Sequence, residues 1–289
     1  MEKSIILVFS RALSLLLVLS FATSTIAQEV EDESEFNYIR GDVRGPENWG
    51  NIKDEWEKCK TGKMQSPIFI FPGLPERIPE SDRVIRSYQT GQTTLKNRGH
   101  DIKLEWIEGG GTIRINGVDY ILRQCHWHSP SEHAINGRRY ALEVHFVHQS
   151  LDDKIAVIGF VYDYGNPDPF LSSIENELKL LISNKNSSEE IMSGIVNPSD
   201  VRMEGSRYYR YMGSLTTPPC DEGVIWTVET KVGSVSLEQV KLLRDAVNDD
   251  ARENARPLQP LNWRRVSLYD TRLRIEDNDT LITPYVSSM

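Results

Sequence analysis

The sequence predicts a mainly β, α+β fold in a single domain with a few short surface helices. Three observations lead there. Runs suited to β-strands dominate the chain, helical periodicity is confined to two stretches, and residues 36–289 contain no internal repeat, low-complexity tract or Gly/Ser-rich linker. A length of 289 residues fits one large β-rich domain or two ordinary ones, and the missing linker favours one.

The elements follow in chain order. Lys3, then SIILVFSRALSLLLVLSF and the small residues ATSTIA ending near Ala27, read as a secretory signal peptide over 1–27. Arg11 interrupts the apolar run, which argues against a retained membrane anchor, and no later segment is apolar enough to span a bilayer. Residues 28–35, containing EVEDESE, read as a solvated acidic leader, and the domain occupies 36–289. PGLPERIPESD at 72–82 reads as a surface loop. TIRINGVDYILRQCHWH, turning at Asn116-Gly117, then YALEVHFVH and KIAVIGFVYDY, read as strands. FLSSIENELKLLIS reads as a helix. So does the stretch after Ser236, where Gln239 completes a capping box before Val240, Leu243 and Val247.

A net charge of −9 argues against nucleic acid or an anionic membrane as the main partner. Secretion allows one disulfide among the three cysteines. Cys125 lies in mid-strand and reads as a small buried apolar residue rather than a reactive thiol. Asn186 and Asn278 begin possible glycosylation sequons, a pattern that also arises by chance.

HWHSPSEH at 126–133 carries the chemistry. Alternation along a strand puts Gln124, His126 and His128 on one face, with Cys125 and Trp127 on the other. If ALEVHFV pairs antiparallel with that strand, Glu143, His145 and Val147 share a face and His145 completes a three-histidine set. Zinc suits such a set, because it takes neutral imidazole nitrogens and three protein ligands leave one position for water. An isolated His-x-His is more often ordinary strand polarity, so the wider pattern has to carry the claim.

That pattern is GPENW (45–49), QSPI (65–68), NRGH (97–100), HWHSPSEH, LEVHFVH (142–148), MGSLTTPPC (212–220), EGVIWTV (222–228) and RPLQPLN (256–262). From about Phe36 to Val266 the chain resembles the α-class carbonic anhydrases, and most of all their plant and microbial members. The resemblance implies a large, twisted, mostly antiparallel central sheet and reversible hydration of carbon dioxide to bicarbonate and a proton by zinc-bound hydroxide. It implies Zn²⁺ on His126, His128 and His145, with Gln124 and Glu143 accepting from the distal N–H groups of His126 and His145. Glu132 would accept from the Thr216 hydroxyl, and that hydroxyl would aim the nucleophile. Thr217 would contact substrate or water, and Val147, Val157, Leu215 and Trp226 would line the carbon dioxide pocket.

By the same resemblance, His100 would shuttle protons along waters held by Asn97 and Tyr38. Arg98 and Lys103 depart from the family pattern, standing where many members have amide-type residues, and two cations beside the path would lower the shuttle's pKa, change the water order and slow the transfer. Cys59 and Cys220 would form the disulfide bracing the Thr-Thr-Pro-Pro loop. His133 and His148 would be hydrogen-bonding histidines facing away from the metal. The same family resemblance includes non-enzymatic plant storage proteins, which leaves a storage or binding role as the alternative. Activated-ester hydrolysis would be an incidental activity of the same centre.

Overall fold

The computed structural model describes residues 29–71, 76–183, 190–247 and 253–273. The expected signal peptide, Asn186 and Asn278 lie outside these residues. The described strands are β1 (Phe69–Ile70), β2 (Glu76–Arg77), β3 (Ile85–Asn97), β4 (Ile102–Ile115), β5 (Val118–His128), β6 (Ala134–Ile135), β7 (Leu142–Ser150), β8 (Ile155–Tyr164), β9 (Ile191–Val196), β10 (Arg207–Ser214), β11 (Glu222–Val235) and β12 (Ser267–Asp270). The α-helices are α1 (Lys58–Thr61), α2 (Pro169–Ser173), α3 (Glu175–Ser183) and α4 (Leu237–Ala246).

Ten strands form one sheet in the order β2-β12-β10-β11-β8-β7-β5-β4-β3-β9, and β1 pairs with β6 apart from it. Within the ten-stranded sheet pairing is antiparallel except at β8–β11 and β2–β12, which are parallel, as is the separate β1–β6 pair. The Asn116-Gly117 turn forms as expected, with φ of 50° and 79°, the left-handed backbone that a two-residue hairpin turn requires.

Side-chain alternation divides the interior. Cys125 and Trp127 of β5 pack with Phe146, Ile158 and residues of α2, α3 and α4, including Phe170, Leu178 and Leu243. The opposite face carries the histidines, beside a second cluster that includes Val147, Val157, Leu215 and Trp226. Central strands β7 and β8 are buried on both faces; β8 reads in sequence as a near-continuous apolar run, whereas β7 buries Glu143, His145 and His148 among its apolar residues. Cys125 is fully buried as expected, and burial pushes its thiol well above the usual range.

Two expectations need correction. The helix read over FLSSIENELKLLIS divides at Ile174, whose φ and ψ of −117° and 11° leave the helical region while its side chain is fully buried in the core. Packing outweighs local periodicity there. The acidic leader is solvated only in part over its described residues 29–35: Glu31, Asp32, Ser34 and Glu35 are exposed, but Glu29 and Glu33 are buried, and the Glu33 N–H bonds the Arg98 carbonyl at 2.8 Å. Arg98, Lys96 and Lys103 draw this segment onto the sheet.

The α2 N-cap yields a stability prediction. Asp168 accepts from the Leu171 N–H at 2.9 Å, yet burial, against the lowering pull of backbone N–H groups, pushes its carboxyl up to about 6. Since the folded value lies above the unfolded one of about 3.9, stability falls as pH rises between them and the cost persists at pH 7. Asp168→Asn keeps the cap acceptor without the charge. Denaturant unfolding at pH 7 should show a gain of about 1–2 kcal/mol that shrinks toward pH 4.

Candidate metal centre

Strand pairing builds the site. In the β5–β7 register His126 faces His145, His128 faces Glu143 and Gln124 faces Val147, so the three histidines meet across one pair of strands. They are fully buried or nearly so, with ring centroids 4.6–5.2 Å apart. One ligating nitrogen from each lies within 4.8 Å of the others. His145 sits opposite Gly159 on β8, where an added Cβ would meet Glu143 Oε1 at 2.8 Å. Only glycine leaves room there for the carboxylate behind His145.

Each imidazole gives away its other nitrogen. His126 Nδ1–H donates to Gln124 Oε1 at 2.9 Å, His128 Nδ1–H to the Asn254 carbonyl at 2.7 Å, and His145 Nε2–H to Glu143 Oε1 at 3.0 Å. These bonds fix the tautomers and leave His126 Nε2, His128 Nε2 and His145 Nδ1 as lone pairs. His126 Nε2 and His128 Nε2 are buried without a partner. Burial pushes His126 well below its usual range, and takes His145 down to about 4 against the raising pull of Glu143. At His128 burial also pushes down, but the Glu132 carboxylate and the Asn254 carbonyl prevail and raise it. Neutral imidazoles are the form a metal takes.

Glu143 does more than accept from His145. Its oxygens also take the His133 N–H at 2.8 Å and His133 Nδ1–H at 2.7 Å, while His133 Nε2 meets the Tyr211 hydroxyl at 2.7 Å. His133 is therefore hydrogen-bonding, as expected, but it does not face away from the site, and its ring centroid lies 6.2 Å from that of His145. It sits beyond the end of β5, where alternation gives no direction. His148 does lie on the other face, bonded to the Tyr88 hydroxyl at 3.0 Å and the Ala156 carbonyl at 3.2 Å.

The family model for eukaryotic-type carbonic anhydrase matches residues 44–270. The chain belongs to that family. It is 50% identical to alpha carbonic anhydrase 7 of Arabidopsis thaliana over 241 residues, covering 83% of this chain and 87% of the relative. It is 46% identical to dioscorin DB3S of Dioscorea polystachya over 261 residues, covering 90% and 96%. A crystal structure of dioscorin complexed with ascorbate superposes with a TM-score of 0.77 at 45% identity, covering 82% of this chain and 98% of that one.

Within this carbonic anhydrase fold the remaining expected residues fall into two groups. Val147, Val157, Leu215, Thr217 and Trp226 are all buried, and the Trp226 ring centroid is 4.8 Å from that of His145. A cavity of about 210 Å³ reaches Gln124, Val147 and Leu215 and is rimmed by Glu29, Glu31, Arg98 and Lys103. Cys59 and Cys220 are bridged, with Cα atoms 5.0 Å apart, next to the Thr-Thr-Pro-Pro loop.

The second group departs from expectation. Glu132 Oε1 accepts the Arg256 backbone N–H at 2.9 Å and Oε2 has no partner, so the Thr216 hydroxyl is not bonded to it. That open oxygen lies 3.7 Å from His128 Nε2 and 3.9 Å from His145 Nδ1. His100 is buried, its Nε2 2.5 Å from the Phe36 carbonyl and its ring packed on Phe36 and Tyr38. Asn97 is tied to the backbone, with Nδ2 donating to the Ala246 carbonyl and Oδ1 accepting the Gly99 N–H, both at 2.8 Å. Arg98 pairs with Asp101 and Glu29, and Lys103 with Glu31 and Glu105, so carboxylates offset the two cations beside the expected path.

Sequence reasoning missed Asn254, Arg256, Gly159 and Glu29. The first two act through backbone groups, which leave no side-chain signature. Gly159 was visible as a glycine within a β-branched run, and Glu29 as an acid in a segment written off as solvated.

Proposed function

We propose that this chain is a zinc-dependent carbonic anhydrase interconverting carbon dioxide and water with bicarbonate and a proton. The observation that carries the reading is the convergence of three imidazole lone pairs, two of them buried without a partner. Buried orphan nitrogens are costly, and a borderline-soft cation that takes neutral imidazoles satisfies all three at once. Zinc held there would lower the pKa of a water to about 7, supplying a nucleophile at neutral pH.

The chain's own residues supply the rest. Glu132 is acceptor-only, so its open oxygen would accept a hydrogen bond from the Thr216 hydroxyl, a bond this structure does not contain, and leave a threonine lone pair to orient the nucleophile. Val147, Val157, Leu215 and Trp226 give a small apolar substrate a dry wall, and Thr217 contacts substrate at its edge. Because the His100 ring is engaged by Phe36, proton export runs to dissolved buffer unless that contact opens. A secretory route fits the Cys59–Cys220 bridge, since disulfides persist in oxidising compartments.

The dioscorin likeness favours one second reading, a binding or storage protein on this fold. Zinc content and carbon dioxide hydration of the purified protein, before and after chelation and after zinc return, separate the two. One zinc per chain, with hydration lost and restored, is the expected result. Stoichiometric zinc without hydration would favour storage, and no zinc would defeat the site.

A further inference from the structure

We infer that Glu29, in the acidic segment ahead of the family-matched region, is a positioning residue for the metal ligand His126, acting through Gln124; the inference rests on the zinc reading above. The Glu29 side chain is 8% exposed. Its Oε2 accepts Arg98 Nη1–H at 2.9 Å and Gln124 Nε2–H at 3.1 Å, and lies 3.6 Å from His126 Nδ1. Arg98 is itself fixed by Asp101, whose Oδ1 accepts Nε–H at 2.7 Å. Glu29 therefore sits at the junction of a buried ion pair and the amide that orients a metal ligand.

Donor and acceptor inventory gives the mechanism. A primary amide is nearly symmetric in shape, so Gln124 has two ways to face His126, with oxygen or with NH₂. A carboxylate only accepts. Glu29 takes the NH₂ and leaves Oε1 to receive His126 Nδ1–H, which puts the lone pair on Nε2, the buried nitrogen without a partner. The flipped amide would present NH₂ to Nδ1, favour the proton on Nε2 and block the metal. The other acids of the segment have different partners. Glu31 binds Lys96 and Lys103, and Glu33 receives the His100 N–H and lies beside Arg98.

The test is zinc release from loaded protein into excess chelator, with unfolding midpoints recorded alongside. Glu29→Ala and the bulk-keeping Glu29→Met should release zinc about tenfold faster, the lower end of what losing an orienting partner of a metal ligand costs. Glu31→Ala should match the parent, and Glu29→Ala should add nothing in a Gln124→Ala background, because the effect passes through that amide. In metal-free protein, ¹⁵N shifts of His126 should report the Nδ1–H tautomer in the parent and a shift toward Nε2–H in the Glu29 variants, which a merely structural role would not move. Parent-like release from both Glu29 variants, or the full tenfold on top of Gln124→Ala, would overturn the role of Glu29 and leave the zinc reading intact. A parent that binds no zinc would instead defeat that reading, and this one with it.

Discussion

His145→Ala is expected to abolish stoichiometric zinc binding and reduce carbon dioxide hydration by about 10³-fold or more. A bound metal's charge contributes several kcal/mol to such a reaction, and each 1.4 kcal/mol is about tenfold in rate. The substitution removes one of three converging nitrogens, and two imidazoles do not complete the three-ligand set of a catalytic zinc. It also takes one hydrogen bond from the buried Glu143 carboxylate. His145→Gln separates these effects, since its amide N–H still has Glu143 within reach while the imidazole is gone. Metal analysis and hydration rates on both variants check the expectation. Full activity in either, or stoichiometric zinc in the alanine variant, would remove His145 from the centre.

The histidine triad was legible because two regular features met and the family resemblance singled out the His-x-His. Period-2 alternation put His126 and His128 on one face, and the antiparallel return placed His145 directly opposite His126. Two of the orienting acceptors, Gln124 and Glu143, lie two residues before His126 and His145 on the same face, where alternation placed them and the family resemblance gave them their role. The third did not yield to it. His128 donates to a backbone carbonyl at Asn254, 126 residues along the chain, and no side-chain pattern marks a carbonyl. His133 fails for a related reason, because it lies past the strand end, where alternation stops. The acidic segment was misread because a charge run is usually solvated. Burying Glu29 depends on Arg98 and Gln124, which reach it only once the sheet has formed. The sheet itself was read from its central strands β4, β5, β7 and β8, whereas β2, β3, β9, β10, β11 and β12 were not picked out from the sequence. β3 carries many exposed or half-exposed residues whose strand character comes from pairing.

Glu143→Ala is expected to cost about 3–5 kcal/mol of stability, the range for removing one member of a buried charged pair, and to weaken zinc binding as well. The carboxylate accepts from His133 twice and from His145 once, all of it fully buried. Without it, buried N–H donors on both residues lose their acceptor, and His145 loses the bond that keeps its proton on Nε2. The pH dependence has a definite sign. Burial pushes the Glu143 carboxyl up, but the charges of His133 and His145 and their hydrogen bonds outweigh it and hold the group well below its usual range. Its stabilisation is therefore complete above the unfolded value of about 4.3 and is lost only as pH falls below it. Glu143→Gln keeps the shape but turns an NH₂ toward one of three donors. It should cost about 1–3 kcal/mol, release zinc about 10–100-fold faster, and flatten the acid limb of the stability curve. Denaturant unfolding from pH 7 to pH 3, with zinc release measured on the same samples, tests both terms. A glutamine variant with the parent's acid limb would show that the pairing of Glu143 with His133 and His145 does not set it.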